Sequence, residues 1–167
     1  AEHDELAQSI LLCPDAAYIE QVQASINRLL PEMPRREIIA KSLNGRGALI
    51  LTSSMAEACD IANRIAPEHL EVHAKNAKAL LPLLTSYGSL FLGESAAEVF
   101  ADKVSGTNHI LPTSRGARNT GGLWVGHFMK VITHQWVDER GVQKLAPYSV
   151  RQAEFETMDA HRRAALI

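Results

Sequence analysis

Short apolar runs separated by helical patterns constrain the fold of this chain more than any other feature. The runs lie at 9–13, 48–51 and 89–92, and each is bounded by a proline or a glycine. Between them, apolar residues recur every three or four positions, which is the spacing of one helix face. Short buried strands that alternate with amphipathic helices are typical of βαβ units and a mostly parallel sheet. We therefore predict an α/β fold with flanking helices, equivalent to an incomplete Rossmann-like half.

Local signals indicate where several helices begin and end. Asp15 follows the first apolar run and is a good N-cap residue. Ser54 and Glu57 have the spacing of a capping box. The apolar pattern of 76–84 predicts a further helix, and that of 148–165 predicts a final one.

The second half of the chain differs in composition from the first. Residues 93–122 are rich in Gly, Ser, Thr and Asn. A long irregular segment within a compact domain is usually functional or disordered, and the apolar triplet at 110–112 argues against disorder. We predict an α/β domain over 1–122 that includes an active-site loop at 93–122. A helical C-terminal arm over 123–167 follows, and its aromatic side chains need a surface that covers them.

The composition argues against several classes of partner. A formal net charge of −2 gives no electrostatic reason to expect nucleic acid or an anionic membrane. No apolar run approaches the roughly 20 residues that span a bilayer, and the N-terminus lacks a signal-peptide pattern. Cys13 and Cys59 are isolated within apolar patterns, which indicates buried thiols in a reducing compartment. We expect a cytoplasmic protein, and the start at Ala1 suggests a chain cut from a longer one.

The dipeptide Glu68-His69 is the first candidate for chemistry. Pro67 disfavours helical geometry at Ala66, so the helix that starts near Ser54 is expected to end there, with Glu68-His69 at the start of a strand. Histidine accepts a proton near neutral pH, and a carboxylate can orient it, activate a water or bind a cation. Without further motifs, the dipeptide is also consistent with an ordinary solvated helix end.

Other imidazoles and carboxylates are scattered along the chain, and they are His3, Asp102, His109, Glu156 and His161. Zinc accepts both kinds of ligand. None of these residues has a local ligand spacing such as His-x-x-x-His, so the residues alone do not indicate a metal site. The chain also lacks a Gly-x-Gly-x-x-Gly motif, a phosphate-binding loop and a nucleophile elbow. The residues therefore do not locate a dinucleotide site, and they disfavour a serine hydrolase.

Four motifs, taken in order, resemble the histidinol dehydrogenase family. They are Ala-Pro-Glu-His-Leu at 66–70, Gly-Ser-Leu-Phe-Leu-Gly at 88–93, Ser-Gly-Thr-Asn-His-Ile-Leu-Pro-Thr at 105–113, and Ala-Glu-Phe-Glu at 153–156 followed by His161. The resemblance extends over essentially the whole chain. It corresponds to the C-terminal portion of the family's usual length.

The resemblance implies a zinc-dependent, NAD-linked alcohol dehydrogenase. It implies that His69 is the general base for hydride transfer to NAD and that Glu68 activates water for oxidation of the aldehyde. It implies zinc ligands at Asp102, His161 and His3. In the family, His3 belongs to a Gln-x-x-His motif whose Gln would precede this chain.

The resemblance also implies how substrate and subunits are arranged. His109 and Glu156 match residues that hold the substrate, and His69, Asp102 and His161 are expected to contact it as well. The C-terminal arm is expected to cross to the partner of a homodimer. NAD is expected to bind largely in a missing N-terminal portion, so the fragment alone should be inactive.

Two alternatives remain open at the level of sequence. The retained His109 and Glu156 favour L-histidinol, oxidised through the aldehyde to L-histidine in histidine biosynthesis. The segment 118–126, which contains Trp124, looks more like paralogues that oxidise another small alcohol, such as a sulfonated propanediol. A non-catalytic dimerisation or ligand-binding module with the same fold is the second alternative.

Overall fold

The computed structural model describes residues 1–166, with the exception of the Lys103 side chain. Contacts divide the chain into two compact units, Ala1–His127 and Phe128–Ile167, here called the first and second unit. Each unit is described by itself. The predicted division between an α/β domain and a dimer-crossing arm at residue 122 stays a prediction.

The described residues contain four strands and six α-helices. The strands are β1 (Ile10–Cys13), β2 (Ala48–Leu51), β3 (His69–Val72) and β4 (Ser89–Leu92). The helices are α1 (Ala16–Leu29), α2 (Arg36–Arg46), α3 (Met55–Ile65), α4 (Glu98–Lys103), α5 (Glu139–Phe155) and α6 (Asp159–Ala164). Short 3-10 turns cover Leu30–Glu32, Ala77–Leu83, Gly116–Arg118 and Val125–Phe128.

The strands pair in parallel, which confirms the α/β class. β1 pairs with β2, with Ile10 opposite Ala48. β3 pairs with β4, with His69 opposite Ser89. The parallel strands of the described residues thus form two pairs, the β1–β2 sheet and the β3–β4 sheet.

The predicted helix caps are present at α1 and α3. The Asp15 carboxylate accepts hydrogen bonds from two backbone N–H groups in the first turn of α1. Ser54 Oγ accepts the Glu57 N–H at 3.2 Å. The Glu57 carboxylate, however, accepts the N–H of Ser53 rather than that of Ser54, so the capping box is displaced by one residue.

Helix α3 ends just before Pro67, as the sequence predicts. α3 ends at Ile65, and Ala66 adopts a left-handed conformation with φ of +52°. The proline rule predicts extended geometry at Ala66. The left-handed conformation instead closes the helix end, since the Ala66 N–H still donates to the Ala62 carbonyl at 2.8 Å. Pro67 and Glu68 then lead directly into β3.

Two predictions for the first unit, one of a helix and one of a loop, differ from the structure. The predicted helix at 76–84 is a 3-10 turn at Ala77–Leu83, because Pro82 lacks an N–H and its ring clashes with an α-helical preceding turn. The predicted loop at 93–122 contains the short helix α4, which its few apolar positions did not reveal.

The predicted final helix at 148–165 begins too late and is divided in the structure into two helices, although its predicted end agrees with the end of α6 within one residue. Helix α5 begins at Glu139, where Asp138 accepts the Gly141 N–H at 2.7 Å. It ends in a Schellman motif around Thr157, which has φ of +58°. Met158 N–H donates to the Ala153 carbonyl at 2.8 Å, and α6 starts after that turn.

The main core lies between α3 and the β3–β4 sheet. Its buried residues are Cys59, Ala62, Val72, Ala77 and Leu84. Leu12 of β1 packs against this cluster from the other sheet. Among the described residues, no helix combines the length and the apolar content that crossing a membrane requires.

Candidate active site

Strand alternation gives the β3–β4 sheet two different faces. Successive side chains point to opposite faces of a strand, and in-register partners of parallel strands share a face. The face toward the core carries apolar side chains, which are Leu70, Val72, Leu90 and Leu92. The opposite face carries His69, Glu71 and Phe91, and the rings of His69 and Phe91 stack with centroids 6.2 Å apart. One face of the sheet therefore builds the core, and the other presents polar groups.

The short helix α4 brings two carboxylates over this polar face. Glu98 and Asp102 are four residues apart, so they lie on the same side of the helix. Glu98 Oε1 lies 3.3 Å from His69 Nε2, and both atoms are buried. The Asp102 side chain is only 6% exposed. His69 thus faces a carboxylate that can orient its ring.

The loop after α4 brings His109 to the same place. The Asn108 side chain shapes this loop by accepting the Ile110 N–H at 2.9 Å and donating to the Ile110 carbonyl at 2.9 Å. His109 Nδ1 lies 2.7 Å from Asp102 Oδ1. The His109 and His69 rings are 6.2 Å apart between centroids. Because the His109 side chain is 51% exposed, it forms the solvent-facing edge of the cluster.

These side chains form a group that could hold a metal ion. One ligand atom from each residue lies within 4.8 Å of all the others, and the residues are His69, Glu98, Asp102 and His109. Imidazole nitrogens and carboxylate oxygens are ligands that zinc accepts, so the donor set fits zinc. Of the three zinc ligands that the family resemblance implies, Asp102 belongs to this group.

Burial and a neighbouring carboxylate raise the pKa of Glu98. Desolvation is the largest cause, and the hydrogen bond with Asp102 and the negative charge of Asp102 add to it. Positive charge on His69 and on His3 acts in the opposite direction. The exposed His3 therefore contributes to the electrostatics of the cluster. A bound cation or proton would relieve the repulsion between the two carboxylates.

Glu71 occupies the same face as His69 and has the opposite pKa shift. Burial acts to raise the pKa of Glu71, but a hydrogen bond from His73 and one from the Glu98 N–H outweigh it, aided by the charges of His73 and His69. The pKa of Glu71 therefore lies below its ordinary value. The carboxylate is kept ionised beside the helix that carries Glu98 and Asp102.

Glu68 is positioned through its backbone. Its carbonyl accepts the Ser89 N–H at 2.8 Å, and the Pro67 carbonyl accepts the Gly88 N–H at 3.0 Å. A Cβ atom on Gly88 would lie 2.5 Å from the Glu68 carbonyl oxygen, so glycine is required for this close approach. The start of β4 thus holds the half-buried Glu68 next to His69.

Two arginines form hydrogen bonds with the C-terminal end of α3, which lies shortly before the Glu68-His69 dipeptide. Arg115 Nη2 and Arg118 Nη2 each donate to the Arg64 carbonyl at 2.6 Å. Cationic side chains at a helix C-terminus satisfy its last carbonyls and complement the helix dipole. The segment downstream of His109 is therefore tied to the chain that leads into Glu68.

Two candidate residues lie in the second unit. Glu156 follows α5, and its Oε1 accepts a hydrogen bond from Gln152 Nε2 at 3.1 Å. His161 lies in α6, and both Glu156 and His161 are exposed. The five-residue spacing between them therefore spans two helices and the turn at Thr157. Their roles toward substrate and zinc stay predictions.

Sequence reasoning missed Glu71 and Glu98. The signal for Glu71 is its position two residues after His69 on the same strand, which places both on one face. The signal for Glu98 is its position four residues before Asp102, but it requires a helix that the sequence pattern did not indicate. Both residues belong to the site only because α4 lies over the polar face of the β3–β4 sheet.

Comparisons with known proteins agree over the whole chain. The family model described as histidinol dehydrogenase matches residues 1–167. A histidinol dehydrogenase of Chromobacterium violaceum is 53% identical over 165 residues, which cover 99% of this chain and 38% of that protein. One from Cupriavidus pinatubonensis is 52% identical, with 99% of this chain and 37% of that protein covered.

A solved structure gives the same result. The crystal structure of histidinol dehydrogenase from Elizabethkingia anophelis matches with a TM-score of 0.90 and 35% sequence identity, over 99% of this chain and 38% of that one. This chain thus spans less than two fifths of the length of the relatives that it matches. By the full-length match to the family model and by these similarities, the chain belongs to the histidinol dehydrogenase family.

Proposed function

We propose that this chain is the C-terminal part of a zinc-dependent, NAD-linked dehydrogenase that oxidises L-histidinol through the aldehyde to L-histidine. The observation that carries the proposal is the group of His69, Asp102 and His109, whose ligand atoms lie within 4.8 Å of one another in a chain that matches the family end to end. The curated relatives named above are histidinol dehydrogenases, which favours histidinol as the substrate.

His69 is the general base of the proposed reaction. In the first oxidation it accepts the proton of the alcohol O–H, while the hydride passes from the adjacent carbon to NAD. The carboxylate of Glu98, 3.3 Å from His69 Nε2, stabilises the imidazolium that results. His69 must then release the proton before it can act again.

Glu68 acts in the second oxidation. It accepts a proton from a water molecule that adds to the aldehyde carbon, and the hydrate loses a second hydride to NAD to give the carboxylic acid. The neighbouring backbone supports this role, since β4 holds the Glu68 carbonyl and limits the movement of the dipeptide. His109 and Glu156 are proposed to hold the substrate, together with His69, Asp102 and His161.

Zinc is proposed to be held by Asp102, His161 and His3 together with a ligand outside this chain. The cluster around Asp102 fits zinc in its donor types. When bound, zinc supplies Lewis-acid polarisation and a template for the substrate. This chain contributes the largely buried carboxylate of Asp102 as a ligand, and His109 lies between that carboxylate and solvent.

Partners and location follow from the same proposal. The second unit carries many exposed apolar side chains, including Val131, Trp136 and Phe155, which are 84–90% exposed. A homodimer with an exchanged C-terminal arm would bury them and bring Glu156 and His161 to a neighbouring subunit's site. The free cysteines Cys13 and Cys59 fit the cytoplasm.

One observation favours a paralogue that acts on another small alcohol. Trp124, in the segment that departs from biosynthetic enzymes, lines a cleft of about 800 Å³ together with Ser89 and Asn108. Asn108 directly precedes His109, the proposed substrate ligand. A different side chain at this cleft could select a different substrate, such as a sulfonated propanediol.

The test is to express the full-length polypeptide that contains this chain and to measure NADH formation with zinc present. We expect NADH with L-histidinol and with the corresponding aldehyde. NADH with a sulfonated propanediol but not with histidinol would reject the histidinol assignment and support the paralogue. A dimer that binds zinc or ligand and reduces no NAD with either alcohol would support the non-catalytic module.

A further inference from the structure

Helix α4 carries Glu98 and Asp102, yet its sequence does little to stabilise it. The helix has six residues, far shorter than the roughly 12–15 residues at which isolated helices become marginally stable in water. Its N-cap residue is Ala97, whose side chain makes no capping hydrogen bond. The position of both carboxylates therefore depends on contacts that α4 makes with the rest of the first unit.

Glu71 supplies the missing cap from a different element. Its Oε1 accepts the backbone N–H of Glu98, the first residue of α4, at 3.0 Å. The free N–H groups at a helix N-terminus need an acceptor, and a negative charge there is favoured by the helix dipole. Because Glu71 is part of β3, this hydrogen bond attaches α4 directly to the strand that begins with His69.

The second oxygen of the same carboxylate is also used. Glu71 Oε2 lies 3.0 Å from His73 Nε2, just beyond the end of β3. With one oxygen on His73 and the other on Glu98, the carboxylate is held in one orientation. The same residue thus connects the strand that carries His69 with the helix that carries Asp102.

We propose that Glu71 is a positioning residue of the active site, which fixes the start of α4 and thereby places Glu98 beside His69 and Asp102 beside His109. Its side chain touches none of the proposed reacting atoms. It acts through α4, so its loss should loosen the carboxylates while His69 stays in place. The inference rests on the proposed function for its catalytic meaning, but the placement of α4 can be measured separately.

Glu57 provides a matched control. Like Glu71, it is a glutamate that accepts a backbone N–H near a helix start, here the N–H of Ser53 before α3. It lies in the first turn of α3, at the end opposite the Ala66-Pro67 segment that leads to His69. Replacing it removes a comparable hydrogen bond without touching α4.

The experiment compares Glu71→Ala, Glu71→Gln and Glu57→Ala in the full-length polypeptide. Zinc affinity is measured by competition with a chelator, and hydrogen exchange is measured at the backbone of 98–103 in metal-free protein. We expect Glu71→Ala to weaken zinc binding about 10–100-fold, as is usual when a residue that supports a metal ligand is removed. It should also speed exchange in α4, whereas Glu57→Ala should change neither. Glu71→Gln keeps an oxygen acceptor and should restore most of both properties.

Two results would overturn the proposal. One is unchanged exchange in α4 of the Glu71→Ala protein. The other is a loss of zinc affinity that is equal in the Glu71→Ala and Glu57→Ala proteins, which would indicate general destabilisation. Hydrogen exchange in metal-free protein decides the positioning role even if the wild-type protein reduces no NAD. A failure of the proposed function is therefore distinguishable from a failure of this inference.

Discussion

The two parallel sheets of the first unit have the same size and pairing but different chemistry. The strands of the β1–β2 sheet, Ile-Leu-Leu-Cys and Ala-Leu-Ile-Leu, contain only apolar residues and cysteine, so both faces are alike. In the β3–β4 sheet, His-Leu-Glu-Val alternates, and its two faces differ. The comparison indicates that one alternating strand is enough to give a sheet a core face and a polar face, and the polar face here carries the candidate site.

The polar face of the β3–β4 sheet requires compensation that the β1–β2 sheet does not. Burying charged or polar groups costs free energy unless they are paired. Here α4 supplies the partners, since the Glu98 side chain lies against His69 and the Glu98 N–H donates to Glu71. In the following loop, His109 pairs with Asp102 of α4. The segment that covers the polar face, α4 with the following loop, therefore also carries candidate site residues.

The largest expected effect comes from removing the imidazole of the polar face. His69→Gln keeps a polar side chain of similar length but cannot accept a proton as a base. We expect kcat for NAD reduction by the full-length protein to fall about 10²–10⁴-fold, the usual contribution of a general base. The loss should be smaller at high pH, where hydroxide removes part of the need for the base.

The control for this variant lies on the other sheet. Leu51→Thr in β2 changes an exposed position on a sheet that carries no candidate residue and should leave kcat unchanged. If His69→Gln retained nearly full activity, the polar face of the β3–β4 sheet would have no role in proton transfer. The assignment of His69 as the base would then be wrong.

The core face of the β3–β4 sheet should control stability. Leu84 is 6% exposed and packs with Val72 and Cys59. Leu84→Ala should lower the free energy of unfolding by about 2–5 kcal/mol, because it removes buried methyl groups and leaves a cavity. The neighbouring Leu83 is 46% exposed, and Leu83→Ala should stay within about 0.5 kcal/mol of the wild type. Urea denaturation of both proteins measures the difference, and equal losses would contradict the assigned core.

The features of this sheet that local sequence patterns determine could be predicted, and those that depend on the cover of its polar face could not. The strands, the α1 and α3 caps, and the grouping of His69, Asp102 and His109 follow from local patterns or from the family motifs. Glu98 and Glu71 could not be predicted, because their roles require α4 to fold over β3, which is a long-range contact. Six residues are too few for periodicity to reveal such a helix.

The helix boundaries that failed have local physical causes. Pro82 disfavours α-helical geometry over 77–83, because it lacks an N–H and the segment is short. The much longer helix α5, in contrast, contains Pro147 in its interior. Thr157 ends α5 in a left-handed conformation, which glycine usually adopts and a β-branched residue rarely does. The sequence thus lacks the glycine that would have indicated the break between Glu156 and His161.

The stability of the protein should depend on acidic pH through Glu71 in the β3–β4 sheet, whereas the strands of the β1–β2 sheet carry no carboxylate. The pKa of Glu71 lies below its ordinary value of 4.5 in the folded protein. Its stabilising contribution is therefore complete above pH 4.5 and is lost as the pH falls through the lowered folded pKa. The melting temperature of the Glu71→Gln protein should fall less steeply than that of the wild type below this pH. Parallel curves would show that Glu71 gains no ionic partner on folding.

The smallest effect is expected at the edge of the β1–β2 sheet. Leu51 is 59% exposed, so Leu51→Thr removes little buried apolar area and introduces a residue with good strand propensity. We expect the free energy of unfolding of the full-length protein to change by no more than about 0.5 kcal/mol. A much larger loss, measured by urea denaturation, would mean that residues outside this chain cover β2. The β1–β2 sheet would then be apolar on both faces because both are buried, as is usual for parallel strands.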